Sequence, residues 1–163
     1  MPNSSESLET INIYYIELCK GIETCKNSET FNAAVYQDAY ARAARLRDRY
    51  EDEKKNKKLR PGELKALSKV FDNDNFTKGI MNIRHVGEHV TVRSDFTITI
   101  VHNETITLPA ATSAMAMFSN KIVTLKDTAG KLHTINHLKQ LEELQQRCAA
   151  AIKNAGNSSF SMS

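Results

Sequence analysis

The chain has 163 residues, 40% apolar and 25% charged, a balance that suits one globular domain with a real core. Twenty-two Lys and Arg against nineteen Asp and Glu leave a net charge of +3, too mild to imply a nucleic-acid partner by itself. No run of eighteen apolar residues is present, so no membrane-spanning helix is expected.

The polar, acidic stretch Met1 to Glu9 predicts no secretory leader. Cys19, Cys25 and Cys148 show no CxxC spacing. They read as reduced thiols in a cytoplasm, not as a disulfide framework or zinc knuckle. Triplets such as Asn75-Phe76-Thr77 are then chance matches to a glycan acceptor.

Leu8, Ile11, Tyr15, Leu18, Ile22 and Cys25 step by three and four, which predicts a first helix with Glu6 and Glu9 in its opening turn. Asn27 or Ser28 reads as the cap of a second helix, with Phe31, Val35, Ala39, Ala43, Leu46 and Tyr50 on its buried face. The tyrosines of these helices, Tyr14, Tyr15, Tyr36, Tyr40 and Tyr50, read as core or interface residues. Lys54, Lys55, Lys57, Lys58 and Arg60 crowd the end of the second helix. They suit a helix C-terminus, and they are also the chain's candidate contacts for an RNA phosphate backbone.

Pro61 opens a third helix lined by Leu64, Leu67 and Phe71. The run Asp72-Asn73-Asp74-Asn75 breaks it and supplies caps for a fourth helix, from about Asn75 to Val90. The period then falls to two. Phe96, Ile98 and Ile100 face Ile106 and Leu108 in one hairpin, and a second runs from Ile122 to Lys126 and from Leu132 to Ile135 around Asp127 to Gly130. Ala110 to Asn120 carries no assignable pattern. A last helix begins near Asn136 on Leu138, Leu141, Leu144, Cys148 and Ile152. The expected architecture is α+β and mainly α: one domain over residues 1–156, about five helices, a β element over about 92–135, and a disordered tail over 157–163.

The fourth helix holds the densest chemistry. Phe76, Ile80, Ile83, Gly87 and Val90 form its core stripe, while Arg84, His85, Glu88 and His89 lie away from it. Gly87 in the seam costs roughly 1 kcal/mol of helix propensity and suggests close approach of another backbone.

Arg84-His85-Val86-Gly87-Glu88-His89 resembles the signature of the HEPN ribonucleases: Arg, a polar residue of the Asn/Asp/His kind, any three, then His. The similar part covers about residues 7 to 90 and the last helix. The resemblance implies a metal-independent endoribonuclease without a cofactor, working on RNA as a homodimer whose two motifs meet. Its implied setting is toxin–antitoxin or antiviral defence, with an antitoxin or defence partner protein. By that similarity His89 is the general acid or base, suited by a pKa near neutrality. Arg84 binds the phosphate, and His85 takes the family's polar position. The β-structure departs from the pattern, being either an insertion on such a bundle or a sign of a different one.

Two other readings compete. His85-Val86-Gly87-Glu88-His89 also spells the inverted zinc-protease motif, with His85 and His89 as ligands and Glu142 or Glu143 as a third. Alternatively Arg84 and Glu88 form an ordinary i, i+4 pair on a solvated face, and the protein is a non-catalytic dimerisation or interaction module. His102, His133 and His137 read as turn, strand or cap residues.

Overall fold

The structure, a computed structural model, describes residues 4–88, 94–101 and 104–162, with side chains of the last helix described to residue 157. It is mainly helical: α1 (Glu6–Asn27), α2 (Ala33–Lys55), α3 (Pro61–Phe71), α4 (Asn75–Glu88), a single turn α5 (Ala114–Met117) and α6 (His137–Met162). Two separate antiparallel pairs, β1 (Phe96–Ile100) with β2 (Glu104–Leu108) and β3 (Ile122–Lys126) with β4 (Leu132–Asn136), lie between α4 and α6. Registers pair Ile98 with Ile106 and Thr124 with Thr134, as period-two alternation requires. None of the helices in the described residues is long and apolar enough to cross a membrane.

α1 and α2 form a helical hairpin, α6 packs on α1 and α3, and α4 runs along α2 and β1. Leu8, Ile11, Leu18, Ile22 and Cys25 are buried as their spacing dictates, and Tyr36, Tyr40 and Tyr50 fill the α2 side of the core. The three cysteines are free thiols. At the start of α1, Ser5 caps the helix through its hydroxyl to Leu8 N. The same hydroxyl donates to Glu63 Oε1 at 2.6 Å, and Ser5 N–H donates to Glu63 Oε2. Glu63 is wholly buried in the first turn of α3 and also accepts from Arg60 N at 2.9 Å.

Three expectations change. The cap of α2 is Asn32, whose side chain accepts from Ala34 N; Ser28 instead ends α1, its N–H bonding Cys25 O. Phe31 therefore precedes α2 and is only partly buried. The unassigned stretch contains α5, capped by Ser113. The final helix extends to Met162 instead of ending at Gly156. Gly156 does not take the left-handed conformation that would close it, and no proline follows.

α4 meets β1 at Gly79. A Cβ there would fall 2.9 Å from both Ile98 Cα and Thr99 N, two backbone atoms that cannot swing aside. Asn82 Nδ2 donates to Thr97 O at 2.7 Å and fastens the same contact. Gly79→Ala is expected to destabilise the protein by about 2 kcal/mol in chemical denaturation, despite a gain of roughly 1 kcal/mol in helix propensity.

Candidate functional site

α4 is held at both ends. At its start Asp74 accepts from Phe76 N and receives a two-pronged contact from Arg147 of α6, 2.8 and 2.9 Å to its two carboxylate oxygens. The Arg147 guanidinium also lies 4.5 Å over the Phe76 ring. Phe76, Thr77, Gly79, Ile80, Ile83 and Val86 are buried. The buried face is thus wider than the stripe read from the sequence, because β1 covers Gly79 while α2 covers the adjoining side.

Near its end, Gly87 is only partly buried, and a Cβ added there would meet the edge of the Phe118 ring at 2.9 Å and Gln37 of α2 at 3.6 Å. The neighbour that Gly87 admits is therefore an aromatic side chain; the backbone approach expected of it occurs at Gly79.

Arg84, His85 and Glu88 occupy the outward face. His85 and Glu88 are exposed and Arg84 is half-buried. Arg84 Nε lies 3.0 Å from Glu88 Oε1, an i, i+4 ion pair, although its buried N–H is not aligned as a hydrogen bond. His89 and Val90 lie outside the described residues, as does His102. No group of three or more His, Cys, Asp or Glu that could hold a metal ion occurs among the described residues. Glu142 and Glu143, the alternative third ligands, are engaged by Lys26 and Arg147 respectively.

The lysine cluster is placed elsewhere. Gln37, beside Gly87, is near the start of α2, whereas Lys54 lies seventeen residues further along, about 25 Å at the helical rise. Lys54 Nζ is 3.0 Å from Asp72, whose carboxylate also accepts from Tyr50. That hydrogen bond with Asp72 raises the Lys54 pKa above its ordinary value. Lys55, Lys57 and Lys58 are exposed and Arg60 is half-buried. The helix closes in a Schellman arrangement, with Lys58 N bonded to Glu53 O and Lys57 N to Lys54 O. Lys57 fills its left-handed position at φ 56°. Lys57→Gly is expected to stabilise the protein by about 1 kcal/mol, read as a higher denaturation midpoint, because a Cβ is strained there.

The structure also reveals a histidine whose importance its sequence context concealed. His137 is fully buried at the start of α6. Its Nε2 is 2.6 Å from Met117 O, a carbonyl that only accepts, so Nε2 carries the proton and Nδ1 accepts from Tyr40 Oη at 2.8 Å. The ring stacks on Phe118 at 5.0 Å. Gly87, Phe118 and His137 thus form one packed column beneath the end of α4. His133 is buried too, between Asp127 (Nε2 to Oδ2, 2.7 Å) and Glu104 (Nδ1 to Oε1, 3.2 Å), and so ties the tip of the second hairpin to β2. The hydrogen bond from His133 holds the Asp127 carboxyl below its usual pKa.

No protein-family model, no curated protein and no solved structure matches this chain.

Burial pushes the His137 pKa below its ordinary value. Above about pH 6.5 the ring is neutral folded and unfolded, and stability is flat with respect to it. Below that, the unfolded chain takes up a proton that the folded one resists. Stability should then fall with pH by up to about 1.4 kcal/mol per pH unit until the folded pKa is reached. Denaturation curves from pH 8 to 5 check this, with His137→Gln expected to flatten the slope.

Proposed function

We propose that this chain is a metal-independent endoribonuclease with a HEPN-like bundle, acting in the cytoplasm as a homodimer in which two α4 segments face one another. The carrying observation is that α4 packs one face on the core and carries the half-buried Arg84 and the exposed His85 on the other in its last turns, in a sequence that continues to His89. A single helix makes no pocket for a phosphodiester; a second copy of the same segment supplies the opposite wall. His89 takes the proton of the ribose 2′-hydroxyl as its oxygen attacks the adjacent phosphorus, and the 5′-oxygen leaves with a proton from the symmetry-related imidazole. Arg84 binds the non-bridging oxygens, where charge grows in the transition state. A phosphate competes with Glu88 for this guanidinium. His85 orients the RNA or the facing copy. The biological setting in keeping with this activity is toxin–antitoxin or antiviral defence, with a protein partner that restrains it.

The Arg84–Glu88 pair favours a second reading, a non-catalytic dimerisation module in which the same residues are a solvated face.

The test is incubation of the pure protein with RNA, with and without chelator, beside Arg84→Ala and His89→Ala. Cleavage that survives chelator and falls at least about a hundredfold in each variant is the expected result. Correctly folded protein with no cleavage leaves the dimerisation module. Cleavage abolished by chelator, with zinc lost on His85→Ala, favours the metal reading.

A further inference from the structure

The first helix carries apolar side chains on the side that the core does not use. Leu8, Ile11, Leu18 and Ile22 of α1 are buried, yet Ile13 is 59% and Ile16 44% exposed. An exposed apolar residue standing alone is ordinary on a protein surface. These two are three residues apart, so they are neighbours on the helix and point away from the buried stripe. A groove of about 410 Å³ between α1 and α6, lined among others by Leu8, Asn12, Ile13 and Ile152, extends the apolar area along one edge.

The charges around the isoleucines are placed symmetrically. Glu9 stands four residues before Ile13 and Lys20 four residues after Ile16, and both are exposed. All four side chains leave the helix within roughly 60° of one another around its axis. Glu9 makes no ion pair among the described residues. Lys20 is 3.1 Å from Glu17 on the same exposed face, and Glu17 is shared with Arg42 of α2 at 3.2 Å.

This order of charges fits a copy of itself. Lay one α1 antiparallel on another, with the two-fold axis between Ile13 and Ile16. The four isoleucines then meet in the middle, and each Glu9 faces Lys20 of the second copy. Parallel pairing would set Glu9 on Glu9 and Lys20 on Lys20. Glu6 and Glu23 share the antiparallel register, but they lie about 100° apart around the helix, on opposite edges of the seam, which keeps these like charges apart. Between Glu9 and Lys20 the charges balance, because Arg42 reaches Glu17. Along the whole exposed face Glu6, Glu9, Glu17 and Glu23 outnumber Lys20 and Lys26, which disfavours nucleic acid and an anionic membrane.

We propose that the outer face of α1 is a self-association surface on which two chains pair through antiparallel first helices. The inference is independent of the nuclease reading and concerns a different helix from the facing α4 segments. One pair of helices buries less than the roughly 800 Å² per partner of a standard interface, so the pairing is weak and depends on concentration. A chain that also pairs through α4 carries two two-fold surfaces, and its dimers join into larger assemblies.

The experiment is sedimentation velocity of the full chain over a wide concentration range, at low and high salt. Circular dichroism checks that each variant keeps its helices, as substitutions at exposed positions should. Ile13→Ser combined with Ile16→Ser is expected to weaken association about tenfold or more. Glu9→Lys or Lys20→Glu alone should weaken it about fivefold at low salt, because each sets like charges against one another at both symmetric pairs. The two reversals together should restore it to within about twofold, since the pair is then remade with its signs exchanged. A chain that stays monomeric at every concentration overturns the pairing. Association indifferent to the isoleucines overturns it too, and loss of that association in Arg84→Glu assigns the two-fold to α4 instead. Weakening by both single reversals without recovery in the double variant overturns the antiparallel register and the self-pairing with it.

Discussion

The fold turns on two places along α4 where a side chain would not fit. At Gly79 the helix backbone approaches the β1 backbone, and a methyl group would sit 2.9 Å from Ile98 Cα. At Gly87 the helix approaches Phe118, which in turn stacks on His137. Each glycine docks one hairpin: Gly79 receives β1, and Gly87 receives the segment leading to β3. The cost in helix propensity is recovered in packing, since the Ile83 and Val86 side chains between them are almost completely buried. One face of α4 is thereby committed to the core, and Arg84, His85 and Glu88 lie on the other.

That division explains what was legible in the sequence. The placement of Arg84, His85 and Glu88 away from the core stripe followed from the 3.6-residue period alone, as did the burial of most of the α1 stripe, Tyr15 excepted, and of Leu67 and Phe71 on α3, whose buried face also takes in Glu63, Ala66 and Val70. Both hairpins were readable because Phe96, Ile98 and Ile100 alternate with threonines, and because Gly130, at φ 88°, marks a tight turn. Residues that act through tertiary neighbours were hidden. Gly79 is one glycine in a helix until β1 is placed beside it. His137 reads as a helix-start residue until Tyr40, 97 positions earlier, is found against its Nδ1. The cap of α2 was misplaced because Asn27, Ser28 and Asn32 are all competent caps, and only the path of the chain selects Asn32.

Charge followed the same logic. A cluster of five cations in seven residues is conspicuous in a linear sequence, yet folding pairs its Lys54 with Asp72 and sets that residue about 25 Å along α2 from the Gln37 that lies beside Gly87. Four lysines scattered over nineteen positions, from Lys121 to Lys139, are equally deceptive: Lys126 lies on the outward face of the β3–β4 ribbon, while Lys121 pairs across the ladder with the buried His137. Proximity in sequence overstates the first group, because a long helix carries it away from the end of α4, and alternation along a strand divides the second.

Glu63 carries a consequence for how the molecule opens. Its two carboxylate oxygens serve the starts of α1 and α3 at once, through Ser5 and Arg60, and it has no solvent exposure. If the first turn of α1 frays, the buried Glu63 carboxylate loses the two bonds that Ser5 donates, which is more costly than losing a surface cap. Unwinding at the beginning of the chain and loosening of the third helix, nearly sixty residues later, are therefore one cooperative event. A modification that pulls Ser5 out of place would be transmitted to α3 and, through α3, to the long terminal helix packed against it.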